Sequence, residues 1–206
     1  MRFYGKEKQD RFAYYLIGEV GSFLDVGCYH PVMWNNTKAL ENAGWSGLIF
    51  DIEDKWIKMA QEHRTNKSFC VDTTSSEFKD ILNKEMKSNS LVDYISVDVD
   101  EASIETLCAL VEQNVRFKCM TFEHCLFEDP KQKNISKHLL SEEGYIPLFE
   151  NVLCDLSHDG YQKPQPFEDW WIDLKHFDES ILEIQSKNIF FEDCINKLME
   201  YVHDNG

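Results

Sequence analysis

The sequence predicts an α/β fold: a mostly parallel sheet with helices on both faces, finished by an antiparallel C-terminal hairpin. Three observations carry this. Short apolar runs alternate with segments of helical spacing between residues 22 and 122, and the alternation breaks after residue 122. No internal repeat, low-complexity tract or linker interrupts the 206 residues. That length suits one domain over 1–206, with an N-terminal helix in 1–20, a sheet core in 21–175 and a helical extension in 176–206.

Phe12, Tyr15 and Leu16 place a helix ahead of the first strand. Residues 22–26, 47–51, 68–71, 93–97 and 117–122 are short apolar runs, each ending at or just before a carboxylate or polar turn. They read as buried strands. Asn36 reads as the N-cap of a helix over 37–43, with Gly44 as its stop. Trp56, Met59 and Ala60 form one helical stripe, and Ile104, Leu107, Cys108 and Val111 form another at i, i+3, i+4, i+7. Beyond residue 122, a helix near 135–143 ends at Gly144. Strands over 145–156 and 168–174 follow, joined by a loop holding Gly160, Pro164 and Pro166. Phe191, Ile195, Leu198 and Val202 make a final amphipathic helix over 190–203.

Thirty-seven acids against twenty-one bases give a formal charge of −16. Such a surface repels phosphate backbones, and no basic stripe offsets it, so nucleic acid is not an expected partner. A small cationic or neutral ligand suits the field better. No run approaches the roughly 20 apolar residues that span a bilayer. The first seven residues turn polar at once, without a signal-peptide core, so membrane insertion and secretion are not expected. Seven cysteines (28, 70, 108, 119, 125, 154 and 194), odd in number and without a CxxC pair, read as buried thiols of a reducing compartment. The expected location is the cytoplasm.

In an open parallel sheet, ligands bind beyond the carboxyl ends of the strands. The stations there are Gly27-Cys28-Tyr29-His30, Asp51-Ile52-Glu53, Asp72-Thr73, Asp98-Val99-Asp100 and Glu123-His124. Four of the five carry an acid. Acids also follow strands as helix caps, but four gathered on one edge make a site. Gly27 allows a tight turn against a ligand. A dinucleotide fingerprint is not met, since Pro31 stands where another glycine would fall. Asp51, 24 residues after Gly27, can accept both hydroxyls of a ribose.

The string Phe-Leu-Asp-Val-Gly-Cys-Tyr-His-Pro (23–31), with Asn-Asn-Thr (35–37), Gly-Trp-Ser-Gly (44–47) and Ile-Phe-Asp (49–51), resembles the FkbM-type methyltransferases. So do residues 92–100 and Thr-Phe-Glu-His (121–124), with Phe-Glu-Asp-Trp-Trp (167–171) as a weaker addition. The resemblance covers roughly residues 20–150. It implies a Rossmann-like class I methyltransferase fold, with a seven-stranded sheet and an antiparallel final strand. It also implies S-adenosylmethionine as cofactor and O-methylation of a sugar or other small-molecule hydroxyl. Carried across by position, Asp25, Gly27 and Cys28 would cradle the methionine half. Asp51 would hold the ribose with Ile52 beside it, and Asp72 and Thr73 would face the adenine. The sequence departs from the commoner pattern at Glu101, where many relatives have glycine, and at Cys28, where alanine is usual.

A hydroxyl acceptor must lose a proton, which calls for a base or a metal beside it. His124 is the first candidate base and His30 the second. His63, His138, His158, His176 and His203 read as solvated. Asp98, Asp100 and Glu123 could offer hard oxygens to magnesium or calcium. The favoured alternative has no metal: Asp98 contacts the cofactor's ammonium and Asp100 caps a helix over 101–113. Asn35, Asn36 and Thr37 are candidates for the cofactor carboxylate or a substrate hydroxyl. Trp170 and Trp171 should point to opposite faces, one into the core and the other free to stack on a ring. Cys28 and Cys125 lack a basic neighbour and read as buried thiols.

Two competing functions remain. Asp98-Val99-Asp100 resembles the metal-binding DxD of nucleotide-sugar glycosyltransferases, although the cleft edge offers almost no Lys or Arg for a diphosphate. A non-catalytic adenosyl-binding protein is motivated by the missing glycines at Pro31 and Glu101. The oligomeric state is open.

Overall fold

A computed structural model describes residues 1–86, 90–124, 130–157 and 160–205. The apolar runs become strands β1 (Ser22–Val26), β2 (Ser46–Asp51), β3 (Lys67–Cys70), β4 (Leu91–Val97) and β5 (Arg116–Glu123). The hairpin supplies β6 (Ile146–Cys154) and β7 (Gln165–Ile172), and Ser186–Lys187 adds a short β8. The sheet order is β3-β2-β1-β4-β5-β7-β6-β8. Only β7 runs antiparallel to its neighbours, slotted between β5 and β6. The fold is therefore the Rossmann-like α/β arrangement expected, with the strand order reversing at β1. The sheet has eight strands rather than seven. Its last strand comes from the segment expected to be purely helical, where two backbone residues pair with β6 without any apolar signature.

The helices are α1 (Gln9–Ile17), α2 (Lys38–Asn42), α3 (Asp54–His63), α4 (Ser76–Glu85), α5 (Ser103–Glu112), α6 (Pro130–Glu142) and α7 (Phe191–Asn205). Alternation along each strand splits the core in two. Phe23, Ile49, Tyr94, Cys119 and Trp170 pack under α1, α2, α3 and α7. Leu24, Phe50, Ile95, Met120 and Trp171 pack under α4, α5 and α6. Each fully buried aromatic contributes about 2–3 kcal/mol relative to exposure. Both tryptophans are fully buried, one in each core, so neither is left to stack on a ligand. Among the described residues no helix is long and apolar enough to cross a membrane.

Three local readings change. Thr37, not Asn36, occupies the N-cap of α2, and Asn35 Oδ1 accepts the backbone N–H of Thr37 at 3.0 Å and of Lys38 at 2.8 Å. The neighbouring asparagine thus does the capping, which frees Asn36 to turn inward. The helix expected over 101–113 begins as a 3-10 turn at Asp100–Ala102, and α5 starts at Ser103 without a side-chain cap. Asp100 has φ +49°, so its backbone makes the turn. Among the cysteines, 28, 119, 154 and 194 are buried, whereas Cys108 is half-buried and Cys70 exposed. Cys125 and His158 lie outside the described residues. His63, His138, His176 and His203 are exposed as expected.

Candidate active site

Gly27 fixes the geometry of the first strand's turn. Its φ is +88°, and a Cβ there would meet the carbonyl oxygen of Asp98 at 1.8 Å. Only glycine lets β1 and β4 leave the sheet this close together. The chain from Cys28 to Thr37 then loops over the edge and is tied down from below by Arg64. Arg64 Nη1 donates to Pro31 O at 3.1 Å and Asn35 Oδ1 at 3.0 Å, and Nη2 donates to Thr37 Oγ1 at 2.9 Å. Nε donates to Glu41 Oε2 at 2.5 Å. Asp25 belongs to this network. It accepts from Thr37 Oγ1 at 2.7 Å and Asn35 Nδ2 at 3.0 Å, with Arg64 Nη1 at 3.8 Å. Burial pushes the Asp25 carboxyl up, and Arg64 opposes it. Asp25, Asn35 and Thr37 therefore support the loop from beneath and do not line the cleft. Cys28 is also buried, its thiol donating to Tyr29 O at 3.4 Å.

Above this loop lies a cleft of about 540 Å³ at the point where strand order reverses, bordered by Gly27, Asp51, Ile52, Asp72, Thr73 and Asp98. Asp51 accepts the backbone N–H of Tyr29 on Oδ2 and of Glu53 on Oδ1, both at 2.8 Å. Burial pushes its carboxyl up, against the pull of those two N–H groups and of the Cys28 thiol. The carboxyl borders the cleft, where a vicinal diol could donate to it. Ile52 is 66% exposed beside it, an apolar surface for a flat ring. Tyr29 and Trp56 meet at 4.5 Å between ring centroids along the same rim. Asp72 accepts from the backbone N–H of Thr74 at 2.9 Å and its hydroxyl at 2.7 Å, which holds the carboxyl below its usual range. The Thr73 hydroxyl lies 2.6 Å from that of Thr106 in α5, leaving its backbone to the cleft.

The acids at the ends of β4 and β5 form a second group. Glu123 pairs directly with Glu168 of β7, and Asp98 follows the Val97–Phe122 pair by one residue. Asp98, Glu123 and Glu168 thus lie in one row across three strands, on the α1/α7 face. Glu168 was missed by sequence reasoning, because its place beside Glu123 depends on β7 inserting ahead of β6. Asp98 is half-buried; desolvation, the charge and hydrogen bond of Glu123, and the charges of Glu7 and Asp100 push its carboxyl well up. Asn36 Nδ2 donates to Ser96 Oγ at 3.0 Å and reaches Asp98 Oδ2 at 3.5 Å. Among the described residues no three His, Cys, Asp or Glu side chains are arranged to hold a metal ion, including Asp98, Asp100 and Glu123.

The two candidate histidines sit elsewhere. His124 is 1% exposed on the α6 face, with Nε2 3.3 Å from Asp169 Oδ1. Lys133 Nζ also reaches Asp169, at 2.9 Å. Burial would raise the Asp169 carboxyl, but His124, Lys133 and the Asn151 N–H outweigh it and hold it down. His30 is half-buried at the rim, its Nδ1 accepting from the backbone N–H of Val32 at 3.2 Å and of Met33 at 3.1 Å.

Comparison with solved structures finds the same fold in several methyltransferases. An rRNA methylase from Streptococcus thermophilus aligns with TM-score 0.55 and 10% identity, over 84% of this chain and 98% of that one. An O-methyltransferase from Bacillus cereus, solved with S-adenosylhomocysteine, gives 0.54 and 13%, over 80% of each chain. Human methyltransferase-like protein 13, also with S-adenosylhomocysteine, gives 0.53 and 10%, over 96% of this chain and 92% of that one. No family model and no curated protein matches the sequence.

Proposed function

We propose that the cleft binds S-adenosylmethionine and that the protein transfers its methyl group to a small-molecule acceptor. The observation that carries this is the pairing of Asp51, a carboxyl on the cleft wall at the end of β2, and Gly27, whose missing Cβ lets β1 and β4 close together on the same cleft. In this reading Asp51 holds the ribose hydroxyls, Ile52 covers one face of the adenine, and the backbone at Asp72–Thr73 borders its edge. Gly27, Cys28 and Asp98 border the methionine half, with Asp98 toward its ammonium and Asn36 steadying Asp98. The bound cofactor supplies an electrophilic methyl on a sulfonium. The protein's task is then alignment of the acceptor at near-contact distance and removal of its proton. His124 is turned to the opposite face and His30 uses Nδ1 on its own loop, so the carboxyls of Asp98 and Glu123 are the groups given the proton.

The fold serves acceptors as different as those of an rRNA methylase and an O-methyltransferase. The charge of −16 supports a small acceptor over a polyanion. A hydroxyl acceptor is the second reading, favoured by the likeness to the Bacillus cereus O-methyltransferase. The nucleotide-sugar reading lacks cations for a diphosphate: Lys55 is the one Lys or Arg among the described lining residues, and it lies 3.4 Å from Glu53.

The test is calorimetry with S-adenosylmethionine, S-adenosylhomocysteine and UDP-glucose, the last with and without manganese. Adenosyl binding in the micromolar range supports the proposal, and UDP-glucose binding without adenosyl binding overturns it. Label transfer from the cofactor to a metabolite panel separates an enzyme from a binding protein.

A further inference from the structure

We infer that Trp34, with Met33 beside it in the chain, is the platform on which the methyl acceptor docks, and that the acceptor presents a flat aromatic ring. The inference rests on the cofactor reading above and names the chemistry of the other ligand.

The loop over 28–37 is built inside out. Asn35, Asn36 and Thr37 are buried, whereas Tyr29, Met33 and Trp34 are 55%, 56% and 63% exposed. Apolar side chains in water above enclosed polar ones make a contact surface. The backbone points the same way. Tyr29 has φ +47° and Trp34 φ +60°, the only aromatic residues in the left-handed region among those described. Apart from Lys8, the others there are Asn, Asp or Gly, which tolerate it. A bulky ring held in this conformation costs free energy that glycine would avoid. The loop keeps its shape because Arg64 bonds Pro31 and Asn35, and because Gly5 pairs with Trp34 in an isolated bridge.

The two rings have different company. Tyr29 lies against Trp56 and borders the cleft. Among the described residues Trp34 has no ring or cation against it and no side-chain hydrogen bond, only the backbone bridge to Gly5. Its place on the rim follows from the loop's two ends. Tyr29 donates its N–H to Asp51, at the end read as the ribose site, and Asn36 reaches Asp98 at the methionine end. Two residues of chain span at most about 7 Å, so Trp34 stands close to that second end. With the cofactor seated in the cleft, the acceptor has to approach the methyl from this rim.

A sugar also stacks on an indole, but its hydroxyls need polar partners around the platform. Here those groups are engaged. His30 Nδ1 accepts the N–H of Val32 and Met33, and Asn35 and Thr37 bond to Asp25 and Arg64. The open indole and the Met33 thioether suit an apolar ring instead.

The test uses the full chain, isotope-labelled and saturated with S-adenosylhomocysteine, read by its tryptophan indole N–H signals. Trp34 is assigned by its absence in Trp34→Gly. The probe is 2-naphthol, against cyclohexanol and methyl α-D-glucopyranoside. 2-Naphthol should move the Trp34 signal saturably and leave those of the buried Trp45, Trp170 and Trp171 in place. Trp34→Gly should lower its affinity by about tenfold or more, and Trp34→Phe should largely keep it. Because glycine relieves the left-handed backbone, Trp34→Gly should melt within about 4 °C of the parent chain. A larger fall makes the ring a structural prop and overturns the inference. So does unchanged 2-naphthol affinity in Trp34→Gly, or equal affinity for cyclohexanol or the glucoside. If S-adenosylhomocysteine binds and 2-naphthol does not, this inference alone falls. If S-adenosylhomocysteine does not bind, the cofactor reading falls, and the acceptor role of Trp34 falls with it.

Discussion

Arg64 Nε donates to Glu41 Oε2 at 2.5 Å, and this buried ion pair anchors the loop that borders the cleft. Burial opposes the charge on Glu41, but Arg64, Lys38 and the donors of Thr65 and Asn66 hold its carboxyl down at about 2. A carboxyl lowered on folding stabilises the native state fully above its unfolded value, about 4.3, and loses that contribution as pH falls toward 2. The melting temperature should therefore drop between about pH 5 and pH 2. Glu41→Gln should flatten that slope and cost about 3–5 kcal/mol at pH 7, because it strands Arg64. Urea unfolding at both pH values checks this.

Gly27→Ala should destabilise the protein by at least about 2 kcal/mol, since φ +88° and an oxygen 1.8 Å from the new Cβ both resist it. Calorimetry should find no adenosyl binding in whatever fraction folds. A variant with wild-type stability and affinity would mean that the turn is not as close as described.

Asp51→Ala should weaken S-adenosylhomocysteine binding by about 1–3 kcal/mol, through lost hydrogen bonds to the ribose. Because its two N–H partners, Tyr29 and Glu53, are also released, Asp51→Asn is the cleaner companion. It keeps one acceptor and should fall between wild type and alanine. Unchanged affinity in both would remove the ribose from this position.

Glu168→Gln should stabilise the apo protein, and more so as pH rises. A carboxyl raised on folding contributes stability below its unfolded value, about 4.3, and that contribution is lost as pH climbs through the folded value. The amide never acquires the charge. Melting temperatures at pH 4 and pH 9 should show the gap widening toward alkali; a gap that narrows would contradict the burial of this carboxyl.

The strand pattern, the hairpin and the cleft edge were legible because buried strands and amphipathic helices leave periods in the sequence. Gly27, Asp51, Ile52, Thr73 and Asp98 come together on that edge as the position rule anticipates. What was not legible depends on partners distant in sequence. Asp25 looks like a cleft residue until Arg64, 39 positions later, claims it from below. His124 follows β5 on the cleft edge but points to the α6 face, because alternation puts its neighbour Glu123 on the α1/α7 face. Asn35 and Asn36 are interchangeable by composition, and only the loop's path decides which one caps α2. Glu168 joins the row solely through the register of β7 against β5.

That late insertion divides the molecule in time as it emerges from the ribosome. Strands β1 to β4, complete by Val97, assemble the half of the sheet that carries Gly27, Asp51 and Asp98 from near neighbours. The far flank has to wait for the return of a segment some forty positions beyond β5. Until it docks, Glu123 sits on an open border, so a stalled or truncated chain would form the cleft around Asp51 well before the row of acids across β4, β5 and β7 is complete.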